Sequence, residues 1–489
     1  MPLGEADWLM TEAFADANEV NRAAQRARVV QGAWASLPWC ARGRALRGLA
    51  HRVARDEELA RLIVAETGKP LFEAVGFEIA YVCEAIRYFT GRAGRRALAE
   101  SQRFSLILPH KQARVAWRPR GIVAVIGPWN FPLLNNFGDA IAALVAGNAV
   151  LLKPSPYTPL TSRRVEALWR DEGLPESVFQ VVEGGADSGR ALVDACDMVF
   201  FTGSLAVGRQ VASRAGERLI PCVAELGGKS AMIVLADADV RAAAHAAVWG
   251  AFAGAGQVCI RVERVLVEDR VADEFVGLVA EETKKLRLGQ RGDGDVDVDV
   301  GPLLLESQIQ RCCALVEDAI ARGAHILAGG DERPESFFVP TVLDHVSPDA
   351  AVAREETFGP VLPILRVRDA DEAVRITNDT HLGLSGAVWS RDPARARAIA
   401  RRLETGSVCI NDVLVNYFCL SAPLGAAKQG GLGFRHGPEA LRQFCYPQTI
   451  VEDRPLLEPV AGWIRNRLGF PYRKRVLDVL RWLLRALYR

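Results

Sequence analysis

Glu225 and Cys259 are the two residues of this 489-residue chain whose types and spacing carry the most chemistry. They lie 34 positions apart, the carboxylate in Glu225-Leu226-Gly227-Gly228-Lys229-Ser230 and the thiol in Gly256-Gln257-Val258-Cys259-Ile260. A thiol with a carboxylate base beside it can form a covalent adduct on a carbonyl carbon. Between them runs an Ala/Val-rich segment, Val240 to Ala253, that predicts one buried helix. A helix rises about 1.5 Å per residue, so a chain that runs out along one and back can return Cys259 to Glu225. Buried cysteines are also common and inert, so the pair takes its meaning from what surrounds it.

The elements before the pair suit a ligand-binding sheet. Val20 to Trp34 and Ala45 to Gly68 carry apolar residues at helical spacing, and Ser105 to Trp117 is strand-like. From Gly121 the pattern becomes strand, turn, helix, repeated. Short apolar runs at Gly121 to Ile126, Ala149 to Leu152, Phe179 to Val182 and Met198 to Phe201 alternate with helical segments such as Leu160 to Asp171 and Ser204 to Ala215. Nearly continuous apolar strands alternating with helices predict a parallel sheet covered on both faces. Ligands bind beyond the carboxyl ends of such strands, where Gly127-Pro128, Lys153-Pro154 and Thr202-Gly203 fall. Gly203-Ser204-Leu205-Ala206-Val207-Gly208 follows a strand and opens a helix, so its backbone N–H groups can face a pyrophosphate. It is not a GxGxxG.

A second αβ series follows Cys259. Arg261 to Val267, Pro360 to Val367 and Gly406 to Asn411 predict strands; Val271 to Leu286, Glu306 to Arg322 and Ala370 to Asn378 predict helices; Gly425 to Gly437 is a glycine-rich loop. Cys312-Cys313 falls on an amphipathic helical stretch as packing residues. The chain closes on Arg473 to Arg489, with Val476, Leu477, Val479, Leu480, Leu483, Leu484 and Leu487 on one face and Arg475, Asp478, Arg481, Arg485 and Arg489 on the other. Such a basic amphipathic helix can lie on an anionic membrane or pack on its own or a neighbouring subunit.

Composition sets the limits. The length calls for two or three domains. A net charge of +1 gives no reason to expect nucleic acid, and ten cysteines without CxxC spacing argue against a zinc site or a disulfide framework. Met1 to Asp16 does not form a secretory signal, and no apolar run reaches the roughly 20 residues needed to span a bilayer. The expectation is a reduced, cytoplasmic enzyme, with a peripheral membrane contact through the tail as a further option.

Six segments then occur in order: Pro128-Trp129-Asn130-Phe131-Pro132; Gly147-Asn148 with Lys153-Pro154-Ser155; Phe201-Thr202-Gly203-Ser204; Glu225-Leu226-Gly227-Gly228-Lys229; Gly256-Gln257-Val258-Cys259; and Glu356-Thr357-Phe358-Gly359-Pro360. Together they resemble the NAD(P)-dependent aldehyde dehydrogenase superfamily over roughly Ala17 to Asp453. The resemblance implies an α/β fold with a Rossmann-type parallel-sheet cofactor domain (1–104 and 121–234) and an α/β catalytic domain (235–425). It also implies a small β oligomerisation arm with closing segment (105–120 and 426–455), leaving 456–489 as the tail. It implies that Cys259 is the nucleophile, Asn130 an oxyanion donor with the Cys259 N–H, and Glu225 the base that hydrolyses the thioester. For NAD or NADP it implies contacts from Ile126, Trp129, Lys153, Ser155, Gly203, Ser204, Glu356 and Phe358. It further implies an aldehyde substrate and a homodimer or homotetramer.

Departures from the pattern carry information. Pro156 stands where many NAD-preferring members have a ribose-binding Glu, which removes a repulsion against a 2′-phosphate. Asp139 and Arg435 stand where many members have a Lys and a Glu, so both signs are reversed and a direct ion pair near the acyl-enzyme water path is expected. Asn135 and Gly138 replace bulky residues and are expected to widen one tunnel wall. Asn411 to Pro423 is two residues longer than the common spacing and carries Asn416, Tyr417 and Phe418 at the mouth. Arg261 is expected either to reach a substrate carboxylate or to start a strand with its charge in solvent. Arg435 to Glu439 and the basic tail resemble bacterial succinate-semialdehyde dehydrogenases. Long-chain or aromatic aldehydes, a coenzyme A-acylating reaction and a non-catalytic dinucleotide-binding protein are the other readings; Glu225 argues against the acylating one.

Overall fold

The computed structural model describes residues 15–105, 108–289, 297–330 and 337–488. Expectations touching the first 14 residues, residues 106 and 107 of the expected 105–117 strand, and Arg489 of the tail lie outside the described residues. The chain divides into two compact units: Met1–Ala97 with Pro119–Phe444, and Leu98–Arg118 with Cys445–Arg489.

In the larger unit, helix Ala17–Ser36 starts where the Asp16 carboxylate accepts the Glu19 N–H at 2.8 Å. It buries Val20, Ala23 and Ala27 in a core shared with Ile122, Ala124 and Leu151. The stretch Ala45 to Gly68, expected as one helix, is divided between Trp39–Val53 and Glu57–Thr67. Asp56 caps the second, and Gly68 ends it at φ 73°, where a side chain would be strained.

One sheet runs in the order Gly431–Leu432, Cys222–Glu225, Met198–Thr202, Ile122–Ile126, Ala149–Lys153, Phe179–Val181. All its pairings are parallel except the first. The central strands are buried at every position, as expected of a sheet covered on both faces. Ile126 is level with Lys153 and Phe201, and Thr202 with Glu225, so the candidate ligand residues line up at one carboxyl edge. The glycine-rich stretch places Gly431 opposite Glu225, where a Cβ would stand 2.5 Å from the Ala224 carbonyl oxygen; only glycine permits that approach.

The second sheet runs His325–Ala328, Thr341–Asp344, Val361–Val367, Arg264–Glu268, Ala231–Val234, Ser385–Trp389, Ser407–Ile410, parallel after the first pair. Helix Val240–Phe252 lies between strands Ala231–Val234 and Arg264–Glu268 in the chain and is nearly as expected. The strand expected from Arg261 begins only at Arg264, because the backbone is still turning after Cys259.

In the smaller unit, the expected Ser105 to Trp117 strand is the second arm of a hairpin: Ser101–Phe104 pairs antiparallel with Lys111–Pro119, which neighbours Cys445–Asp453. Helices Glu458–Leu468 and Lys474–Leu487 follow. Among the described residues no helix is long and apolar enough to cross a membrane.

Candidate active site

Cys259 reaches its place through a forced turn. Gly254, Ala255 and Gly256 have φ of 60°, 53° and 72°, immediately after helix Val240–Phe252. A Cβ on Gly256 would lie 2.4 Å from the Gly359 carbonyl oxygen, so this turn needs glycine. Glu73, from a distant helix, accepts the Gly254 N–H on both oxygens at 2.9 and 3.1 Å. Gln257 accepts the Leu304 N–H at 3.0 Å and donates to the Gly254 carbonyl at 3.1 Å. The turn is held from outside by Glu73 and Leu304 and closed on itself by Gln257.

The loop opposite is held as firmly. Lys69 donates to the Asn130 carbonyl at 2.9 Å and pairs with Glu78 at 2.5 Å. Glu78 also accepts the Leu133 and Leu134 N–H groups at 2.8 and 3.1 Å. The Asn130 side chain donates to the Gln257 carbonyl at 2.8 Å, tying it to the thiol loop.

Two cavities meet at Cys259. A cleft open to solvent is lined by Cys259 with Trp129, Asn130 and Glu225, and by Gly203, Ser204, Glu356 and Phe358. An apolar pocket, partly open to solvent, reaches the same thiol, lined by Phe77, Phe131, Leu134, Trp249, Tyr417 and Phe418 among others. Ile126, Lys153 and Ser155 do not line the cleft. Lys153 donates instead to the Pro154 and Gly184 carbonyls at 3.0 and 2.7 Å, and burial lowers its ammonium to about 8.

The cleft suits a dinucleotide. Ser204 caps helix Leu205–Glu217, leaving an amino-terminal helix end with its unpaired N–H groups for a phosphate. Glu356 accepts the Gly228 N–H at 3.0 Å, and a Cβ on Gly227 would strike its carboxylate at 2.4 Å. Glycine at 227 therefore leaves room for that carboxylate, which can accept hydroxyl donors. Trp129 meets Phe358 edge-on, ring centroids 5.7 Å apart. The Glu356-Thr357-Phe358 segment is fixed by Glu263, which accepts the Thr357 and Phe358 N–H groups and pairs with Lys229 at 2.6 Å and Arg261 at 3.2 Å. Those partners outweigh burial and hold the Glu263 carboxyl at about 2.

Arg261 is therefore neither a substrate ligand nor a solvent-facing charge. It is fully buried, donating to the Gly359 and Val361 carbonyls and pairing with Glu263. An ionised guanidinium cannot be left unpaired in a core, so it became a brace for the Glu356 segment. Gly138 does not widen the tunnel either: a Cβ there would stand 3.1 Å from the Tyr81 ring, which occupies the space.

Arg435 and Asp139 form the direct pair, at 2.9 Å, with both side chains buried. Arg435 also donates to Thr202 Oγ1 at 2.9 Å, to Asn135 Oδ1 at 3.0 Å and to the Tyr417 hydroxyl. Thr202 is level with Glu225 on the neighbouring strand, which places the guanidinium beside the candidate base. Burial pushes Glu225 up to about 7, opposed by Arg435 and reinforced by Asp139. Burial likewise pushes the Cys259 thiol up to about 12, again opposed by Arg435. Asp139 too is raised by burial and lowered by its partner. Asp139→Ala and Arg435→Ala are each expected to cost about 3–5 kcal/mol, because each strands a buried charge. The double variant should lose less than the sum, by about 0.5–3 kcal/mol in urea denaturation; strict additivity would contradict the pairing.

Comparisons with known proteins give the family. The model of the aldehyde dehydrogenase family matches residues 4–450. A Mycobacterium ulcerans protein named "Putative succinate-semialdehyde dehydrogenase [NADP(+)] 2" is 38% identical, over 93% of this chain and 88% of its own. A Methylomonas "4,4'-diapolycopene aldehyde oxidase" is 39% identical, over 90% and 81%. The solved structure of an NAD-dependent aldehyde dehydrogenase from Sinorhizobium meliloti superposes with a TM-score of 0.85 at 34% identity, over 90% of this chain and 88% of that one. The chain belongs to the aldehyde dehydrogenase family. Its activity is NAD(P)-dependent oxidation of an aldehyde.

Sequence reasoning did not find Glu73, Lys69, Glu78 or Glu263, which brace the two loops and the Glu356 segment. One local signal was available: Glu66 falls on the face of Leu59 and Ile63 and is buried, accepting the Leu160 and Thr161 N–H groups. A carboxylate on the apolar stripe of a helix marks a distant backbone partner.

Proposed function

We propose that Cys259, Glu225 and Asn130 carry the reaction, converting an aldehyde to its carboxylic acid through a thioester. The observation that supports this reading best is that Cys259 lies where the polar cleft and the apolar cavity meet, with Glu225 on the cleft side. The Cys259 sulfur, as thiolate, bonds to the carbonyl carbon, and the carbonyl pair moves to oxygen to give a thiohemiacetal. Asn130 and the Cys259 N–H stabilise that oxyanion; the Asn130 amide leaves the Gln257 carbonyl or is shared with it. When bound in the cleft, the oxidised nicotinamide supplies a hydride acceptor. Loss of the hydride re-forms the carbonyl and leaves the acyl group on sulfur. Glu225 takes a proton from water, whose oxygen bonds to the acyl carbon and displaces the Cys259 thiolate. Ser204, Gly203 and Trp129 would face the pyrophosphate, Glu356 the nicotinamide ribose, and Phe358 the ring. Ile126, Lys153 and Ser155 would flank the adenosine end. Pro156 supports NADP as an acceptable partner. Reduced-nicotinamide absorbance with purified protein, either dinucleotide and an aldehyde tests the reading; no turnover with any aldehyde would count against it.

Within the smaller unit, Tyr446, Ile450 and Val451 are exposed on strand Cys445–Asp453, an edge strand among the described residues, which supports an arm that joins a second subunit into a dimer or tetramer. Helix Lys474–Leu487 buries none of its residues and exposes Leu477, Leu480, Trp482 and Leu484, with Lys474, Arg475, Arg481 and Arg485 also exposed. That supports contact with an anionic membrane surface. Sedimentation of the full chain and of a version ending at Pro455, alone and with anionic vesicles, tests both. The full chain should travel as an oligomer of 53.2 kDa subunits and pellet with vesicles. A monomeric mass counts against the arm, and equal pelleting counts against the tail.

A further inference from the structure

The apolar cavity has a composition that bears on the substrate. Its polar lining groups are Asn135, Tyr417 and the thiol. The Tyr417 hydroxyl donates to Asn135 Oδ1 at 2.9 Å, and both oxygens also accept from Arg435. Among the described residues no Lys, Arg or His lines it. Arg435 stands behind these two groups, donating to both, and is paired with Asp139; Arg261 pairs with Glu263 and donates to two carbonyls.

Toward solvent the same walls remain apolar. Phe77, carried by the π-helical turn Ala74–Ile79, contacts Trp249 and Phe418 with ring centroids 6.2 and 6.0 Å apart, and Phe72 at 6.4 Å. Of these, Phe72 is 68% exposed, Trp249 36% and Phe418 41%. Exposed aromatic rings joined to a buried apolar cavity are a site for apolar ligand surface.

We propose that this cavity takes the apolar chain of an extended alkyl or aromatic aldehyde, laid from Cys259 to the aromatic rim, and rejects aldehydes bearing a second, charged carboxylate. The inference rests on the reading of Cys259 as nucleophile and adds the substrate class. A carboxylate carried into this lining would lose its water and find there no cation of its own, since the Arg435 guanidinium behind Asn135 and Tyr417 is already paired with Asp139. An alkyl chain would bury its methylenes against Phe77, Trp249 and Phe418.

The test compares initial rates of the full-length protein with decanal, propanal and succinic semialdehyde, using either dinucleotide. Decanal is expected to exceed succinic semialdehyde in kcat/KM by about 100-fold or more. Phe418→Ala, at a half-exposed position, should raise KM for decanal about 10-fold with little change in kcat, so that the decanal-to-propanal ratio of kcat/KM falls. A readout independent of turnover is alkylation of Cys259 by iodoacetamide, which decanamide should slow and succinamate should not. Succinic semialdehyde oxidised as well as decanal, or succinamate protecting as well as decanamide, overturns the substrate class and leaves the thiol chemistry standing. Failure to oxidise any of the three aldehydes removes the underlying reading and this inference with it.

Discussion

Cys259→Ala is expected to lower turnover by at least about 10⁴-fold while leaving dinucleotide binding intact. The size follows from what the thiol does: without it no covalent adduct forms, and the residual rate is that of positioning alone. Binding should survive because Ser204 and Glu356 are fixed by their own partners, the helix start at Leu205 and the Gly228 N–H, rather than by the thiol. The substitution removes one sulfur from a turn held by Glu73 and Gln257, so the fold should be unchanged. Stopped-flow absorbance and a fluorescence titration with reduced dinucleotide separate the two properties. Retention of more than a small fraction of turnover would exclude Cys259 as the nucleophile.

Glu225→Gln should divide the reaction. Acyl transfer to sulfur can still occur, but hydrolysis loses its base, a loss of about 10²–10⁴-fold. A burst of reduced dinucleotide close to one equivalent per active site should therefore appear, followed by a slow steady state. The pH profile supplies a second signature. The Glu225 carboxyl is pushed up to about 7 by burial, so below that pH it is protonated and cannot accept a proton from water. Turnover limited by hydrolysis should rise through about pH 7 in the native protein, and this limb should vanish in Glu225→Gln. The thiol, pushed up to about 12 by burial, should keep kcat/KM climbing above that limb as thiolate accumulates. A native profile flat from pH 6 to pH 8 would contradict the assignment of the base.

The residues that must face a ligand were legible because they lie in short peptides with their own backbone demands. Glycines at 227, 256 and 431 mark close approaches of backbone to a carboxylate or carbonyl, and each lies within a few residues of Glu225, Cys259 or the strand paired with Glu225. The sheet was legible because strands covered on both faces read as unbroken apolar runs. The buried charges were not. Glu73 meets Gly254 across 181 positions, and Lys69 meets the Asn130 carbonyl across 61, so no local period announces either bond. Arg261 was misread for the same reason: beside a nucleophile an arginine suggests a ligand, yet it donates to the Gly359 and Val361 carbonyls and pairs with Glu263. Gly138 failed in a different way, because a missing side chain shows a space but not the Tyr81 ring that fills it. The Asp139–Arg435 pair was accessible because two departures of opposite sign at positions expected to lie near each other imply one contact.

The most direct test of the central claim is intact and peptide mass analysis of Glu225→Gln, acid-quenched during turnover of decanal with dinucleotide. The peptide containing Cys259 should carry the added mass of the acyl group, less the thiol hydrogen, and none of the other nine cysteines should. Formation of reduced dinucleotide with no acyl mass on the protein, or with the acyl group on a different cysteine, would contradict the claim.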